Sequence, residues 1–138
     1  MAEFTMIKRG TILVVEDRDD VRQGLSQLLE LHGFLVADAS DGAQALQQLT
    51  EDPEGIALML LDLVLPGSLS GADVRAKQLS IPSLAAIPTI VLTASDTPQS
   101  DRAPLHADAW LEKPFKFDDL LEVVKRYVIP EAGGVLTE

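Results

Sequence analysis

The sequence contains no cysteine, so disulfides and thiolate metal sites are excluded. Aromatic residues make up only 4%, which leaves the core to Leu, Val, Ile and Ala. Cations are scarce as well: 11 Lys and Arg stand against 22 Asp and Glu, a formal charge of -11. A nucleic-acid surface needs clustered Lys and Arg to displace counterions, and an anionic membrane attracts the same groups. Direct binding to either is therefore not expected, whereas a metal cation or a basic partner surface suits the charge. The longest apolar run, Ile56–Leu61, is too short to span a bilayer. Met1 to Gly10 lacks the apolar region of a secretory signal.

What is present suits one domain with a single core. The expected folded unit is residues 10–129. Residues 1–9 read as a leader or disordered N-terminus, with a native start at Met6, and 130–138 read as a tail or linker around Gly133-Gly134.

Aliphatic runs at Thr11–Val15, Phe34–Ala37, Ile56–Leu61, Thr89–Leu92 and Ala109–Leu111 predict five strands. Helical spacing separates them. Asp19 or Asp20 is expected to cap a first helix with Val21, Leu25, Leu28, Leu29 and Leu31 inward, ending at His32-Gly33. A second opens at Asp41-Gly42 and buries Ala45, Leu46 and Leu49, and a third covers Ala72–Leu79. Pro82 and Pro88 frame a linker, while Pro98 and Pro104 permit only a short helix over 98–107. Phe117, Leu120, Leu121, Val124 and Val128 give the last helix its buried side. Strands alternating with helices predict an α/β fold, a doubly wound parallel sheet of order 2-1-3-4-5, the flavodoxin-like arrangement. Arg22, Arg75 and Arg126 read as solvated helix faces, and His32 and His106 as surface residues.

Parallel strands deliver their C-terminal residues to one edge. The first ends at Glu16 and Asp17, the third at Asp62, the fourth at Thr93 and the fifth near Lys113. Three carboxylates, a hydroxyl and an ammonium thus converge where α/β sheets bind ligands. Clustered carboxylates repel, so one must have a raised pKa or share a bound cation. An all-oxygen donor set suits Mg2+. Screened in this way, Asp62 can attack phosphorus to form an acyl phosphate.

Val14-Val15-Glu16-Asp17, Leu61-Asp62-Leu63-Val64-Leu65-Pro66-Gly67, Val91-Leu92-Thr93-Ala94 and Glu112-Lys113-Pro114-Phe115 resemble the four signatures of bacterial response-regulator receiver domains. The resemblance covers roughly residues 10–128. It implies that Asp62 takes a phosphoryl group from the phosphohistidine of a sensor histidine kinase or histidine phosphotransfer protein. It implies that Asp17, Asp62 and the backbone carbonyl of Val64 bind Mg2+, with Glu16 acting through water. It further implies that Thr93 moves to the phosphoryl group, that Lys113 pairs with it, and that the Lys113–Pro114 bond is cis. The product would be a cytoplasmic, phosphorylation-dependent switch that signals to an output domain or target protein and catalyses its own phosphorylation and dephosphorylation.

Two positions depart from the usual pattern. Trp110 stands where the family's switch aromatic is Tyr or Phe, and the loop Pro66–Gly71 is one residue longer, as in receivers of hybrid kinases. Val64, two residues past the acceptor, is apolar, which predicts a long-lived acyl phosphate. Two rivals remain: a pseudo-receiver that only binds partners, and a haloacid-dehalogenase-type phosphatase. The phosphatase wants an acid where Val64 stands.

Overall fold

Every residue from Ile56 to Asp62 is buried, so this strand shows none of the in–out alternation of a sheet edge. The computed structural model describes residues 7–131 and places that strand at the centre of a five-stranded parallel sheet. The strands are β1 (Thr11–Val15), β2 (Leu35–Ala39), β3 (Ile56–Asp62), β4 (Thr89–Ala94) and β5 (Ala109–Lys113), in the order β2-β1-β3-β4-β5. The predicted doubly wound topology is the observed one. Among the described residues the helices are α1 (Asp19–Leu31), α2 (Gly42–Glu51), α3 (Gly71–Leu79), α4 (Pro82–Ala85), α5 (Gln99–Arg102) and α6 (Phe117–Val124). A 3₁₀ turn at Ala103–Leu105 follows α5.

Because successive side chains point to opposite faces, the central strand feeds two cores. Leu58 and Leu60 join Ile12, Val14, Ile90 and Leu92 beneath Leu25 and Leu29 of α1 and Leu120 and Val124 of α6. Met59 and Leu61 join Leu13 and Val15 beneath Ala45 and Leu49 of α2 and Val74 of α3. Complete burial of one such Leu contributes roughly 2 kcal/mol, so the aliphatic runs supply most of the core, with Phe34 as the one buried aromatic among the described residues.

Local readings need correction at several points. Arg18, not Asp19 or Asp20, is the N-cap of α1, and its side chain makes no capping bond. The two acids lie in the first turn, where they face the positive end of the helix dipole. Asp41 does cap α2, accepting from the Gln44 amide at 2.9 Å. Leu28 and Leu31 are 39% and 68% exposed, because the buried stripe of α1 is narrower than the apolar spacing suggested. Phe34 is buried but precedes β2, which starts one residue later. Residues 82–85, expected as linker, form α4, since proline at a first helical position is already set for helical φ.

Arg75 is the largest correction. It is 3% exposed rather than solvated. Its Nε donates to the Leu105 carbonyl at 2.8 Å, and Nη1 to Gln78 Oε1 at 2.7 Å and Thr89 Oγ1 at 3.0 Å. Nη2 donates to the His106 carbonyl at 2.6 Å and lies 3.8 Å from Asp108 Oδ2. Burial lowers its pKa from the ordinary arginine value and Asp108 opposes the shift, but a guanidinium remains charged. It ties α3 to the segment entering β5. Arg22 is also largely covered, with a side chain 12% exposed.

Residues 1–6 and 132–138, holding most of the expected leader and tail, lie outside the described residues. Lys8 forms a parallel bridge with Val128, and Glu131 donates its amide to the Gly33 carbonyl at 2.8 Å. No helix among the described residues is long and apolar enough to cross a membrane.

Candidate functional site

Strand register carries the acids to one edge. Val15 pairs with Leu61 across β1 and β3, so Glu16 and Asp17 leave the sheet beside Asp62. One carboxylate oxygen from each of Glu16, Asp17 and Asp62 falls within 4.8 Å of the others. Asp17 is exposed, whereas Glu16 and Asp62 are 1% and 3% exposed. Lys113, at the end of β5, reaches across β4 to join them. Its Nζ donates to Asp62 Oδ2 at 2.6 Å and stands 3.5 Å from Glu16 Oε1.

The backbone fixes the other oxygens. The Val64 amide donates to Asp62 Oδ1 at 3.0 Å, and the Arg18 amide to Glu16 Oε2 at 3.0 Å. Arg22 donates to the Glu16 main-chain carbonyl at 3.0 Å and pairs with Asp19 at 2.7 Å and Asp38 at 3.4 Å. It thereby holds the end of β1 against α1 and β2. Gly71 permits the loop after β3 to fold back: its amide donates to the Leu63 carbonyl at 3.0 Å, and a Cβ there would collide with the Asp62 carbonyl oxygen. The Lys113–Pro114 peptide is cis.

Burial raises the Glu16 pKa to about 7, and the hydrogen-bonding and charge of Asp62 push the same way against the Arg18 amide and Lys113. Burial disfavours the Lys113 ammonium, yet its hydrogen bond to Asp62 and the charges of Asp62 and Glu16 outweigh this and raise its pKa. Glu16 Oε1 is buried without a hydrogen-bond partner. A buried carboxylate oxygen whose sole counter-charge among the described residues is the Lys113 ammonium at 3.5 Å, next to two more acids, is a donor set for a hard divalent cation, so the residues present fit Mg2+.

Thr93 and Trp110 stand outside that cluster's hydrogen bonds. Thr93 is buried on β4 and its Oγ1 donates to Thr97 Oγ1 at 2.6 Å. Trp110 is half-buried on β5 with the Arg102 guanidinium 5.5 Å from its ring centroid. Val64 is 77% exposed beside the acid its amide holds. The sequence does not single out Thr97 or Arg102, and Arg22, expected on a solvated face, instead packs against the end of β1. Apart from the Arg22–Asp19 pair three residues apart on α1, their partners are four or more residues away or on other elements, where no local pattern marks them.

Comparison with known proteins extends this geometry. The family model for the response regulator receiver domain matches residues 12–125. The chain is 36% identical over 118 residues to the sensory transduction protein RegX3 of Mycobacterium bovis, covering 83% of this chain and 49% of that protein. It is 36% identical over 113 residues to the response regulator MprA of Mycobacterium ulcerans, covering 80% and 46%. The chain thus spans about half the length of these curated relatives. Among solved structures, it resembles the receiver domain of a signal transduction histidine kinase from Syntrophus aciditrophicus, with TM-score 0.77, 28% identity, and coverage of 85% of this chain and 88% of that one. It also resembles the response regulator TrrA of Thermotoga maritima in complex with Mg2+ and BeF, with TM-score 0.73, 32% identity, and coverage of 85% and 97%.

Proposed function

This chain belongs to the response regulator receiver domain family of two-component signalling, and from that premise we propose that Asp62 is its phosphoacceptor. The observation that carries the reading is the buried Asp62 carboxylate, held by Lys113 and the Val64 amide beside a buried Glu16 oxygen that has no hydrogen-bond partner. Glu16, Asp17 and Asp62, with the Val64 carbonyl, would hold Mg2+. An ion held there would offset the repulsion among the acids and stabilise negative charge on a phosphoryl oxygen.

An Asp62 oxygen attacks the phosphorus of a phosphohistidine on a sensor kinase or phosphotransfer protein. The P–O bond forms as the P–N bond breaks, and the electron pair leaves with the imidazole nitrogen. Lys113 exchanges its carboxylate partner for a phosphoryl oxygen, and Thr93 donates to another. Water attack on the same phosphorus later returns Asp62 and inorganic phosphate. Because these contacts exist only in the phosphorylated state, they shift a conformational equilibrium read by an output domain or target protein.

Intact mass after incubation with Mg2+ and phosphoramidate tests this directly. One added phosphoryl group is expected, absent in EDTA and in Asp62→Asn. No addition with several donors would leave a partner-binding module, and addition that persists in Asp62→Asn would assign the chemistry to another acid.

A further inference from the structure

Two residues outside the acid cluster restrain the groups that would answer phosphorylation. Thr93 Oγ1 donates to Thr97 Oγ1 at 2.6 Å, with the Ala94 carbonyl at 3.3 Å as a further acceptor, so its single proton is engaged by the end of β4 and the loop that follows. Arg102 closes that loop from α5. Its Nε donates to the Thr97 carbonyl at 3.2 Å, and Nη2 reaches the Ala94 carbonyl at 3.4 Å and Glu112 Oε2 at 2.8 Å. The same guanidinium lies over Trp110, within cation–π range. Its side chain is 16% exposed, which strengthens these contacts relative to open solvent. One cation therefore joins the loop after β4 to two residues of β5.

We infer that Thr97 and Arg102 are positioning residues that latch the unphosphorylated conformation, Thr97 by engaging the Thr93 hydroxyl and Arg102 by fixing Thr97 and covering Trp110. The inference rests on the reading of Asp62 as phosphoacceptor and Thr93 as the hydroxyl that meets the phosphoryl group. A hydroxyl has one proton, so Thr93 can donate to a phosphoryl oxygen only after leaving Thr97. A turn of the Trp110 ring away from its present position gives up the Arg102 contact. Both contacts belong to the unphosphorylated state alone, and removing them favours the other state by what they were worth.

Binding of Mg2+ and beryllofluoride, followed by calorimetry, measures that balance. Thr97→Val removes the hydroxyl with little change in shape and tightens binding about five-fold, the equivalent of one ordinary hydrogen bond. Arg102→Gln tightens binding in the same direction and shifts Trp110 emission. Thr97→Ser keeps the hydroxyl and binds as the wild type does. A merely structural role would lower stability without tightening binding. Should Thr97→Val not fold, Arg102→Gln decides alone. Wild-type affinity in the variants that fold, with beryllofluoride bound by the wild type, overturns the latch and leaves the phosphoacceptor reading intact. A wild type that neither binds beryllofluoride nor gains phosphoryl mass overturns both.

Discussion

Lys113 Nζ donates to Asp62 Oδ2 across 2.6 Å, joining strand ends that lie two places apart in the sheet. The Asp62 side chain is 5% exposed, so its charge is poorly hydrated and relies on this partner. Lys113→Met is expected to destabilise the domain in EDTA by about 1–2 kcal/mol, discounted from a fully buried pair, because Lys113 is 38% exposed. Excess Mg2+ should reduce that loss by supplying a cation at the same acids. Urea unfolding of both proteins, with EDTA and with Mg2+, checks this; a loss that is unchanged by Mg2+ would separate the ion from the Asp62 cluster.

Glu16 gives the site its pH dependence. Its carboxyl titrates at about 7 in the fold against an ordinary value of 4.5. Between those values the folded state binds the extra proton, so this group's contribution is complete below about pH 4.5 and lost as pH rises through about 7. Stability in EDTA should fall across that window by more in the wild type than in Glu16→Gln. Mg2+ needs the carboxylate, so its stabilising effect should be larger at pH 8 than at pH 6. Thermal unfolding of the two proteins across that range reads both effects, and parallel curves in EDTA would contradict the assignment.

Arg75 makes four hydrogen bonds, two to carbonyls in the segment before β5. Arg75→Met should cost about 3 kcal/mol, because buried acceptors lose their donor. Arg75→Lys should recover little of it, since an ammonium cannot reproduce the planar fork. Chemical denaturation measures both; a loss below 1 kcal/mol (roughly, on the scale of a surface substitution) would mean that water replaces the guanidinium.

The sheet and the acid cluster were legible because each depends on short-range pattern. Aliphatic runs long enough for a strand ended at Glu16, Asp62, Thr93 and near Lys113, and parallel topology then placed these ends on one edge. Arg75 was not legible. A charge within a helical stretch reads as solvent-facing unless its acceptors are known, and Leu105, His106 and Thr89 become neighbours only in the fold. The same holds for Arg102, whose partners lie on the preceding loop and on β5. Pro82 was misread for a different reason: proline stops a helix from within yet suits its first turn.

Gly71 sits where α3 leaves the long loop. A Cβ there would lie 2.6 Å from the Leu63 Cα as well as against the Asp62 carbonyl, both backbone atoms that cannot swing aside. Gly71→Ala should destabilise by about 2 kcal/mol or more and slow Asp62 phosphorylation, because the strain falls on the residue carrying the acceptor. Gly24, whose added Cβ would meet nothing within 4 Å, supplies the control. Gly24→Ala should leave the phosphorylation rate unchanged and raise stability by about 1 kcal/mol through helix propensity. Equal phosphorylation rates for the two variants would show that the collision is absorbed away from Asp62.

Val64 bears on the lifetime of the phosphorylated state. Its amide fixes Asp62 Oδ1 at 3.0 Å, which anchors the residue next to the proposed acceptor, while the residue is 77% exposed. Hydrolysis requires a water molecule positioned for attack on phosphorus. Two methyl groups offer that water no hydrogen bond, whereas an amide at the same place would orient it. The wild-type acyl phosphate should therefore persist for minutes or longer. Val64→Asn should shorten its half-life roughly ten-fold, at the low end of what a positioned polar group contributes, without changing Mg2+ affinity, since the metal contact proposed for this residue would use its backbone carbonyl. Mass spectrometry of the phosphorylated fraction after donor removal gives both lifetimes. A wild-type half-life of seconds would refute the protective role, and equal lifetimes would place the attacking water away from residue 64.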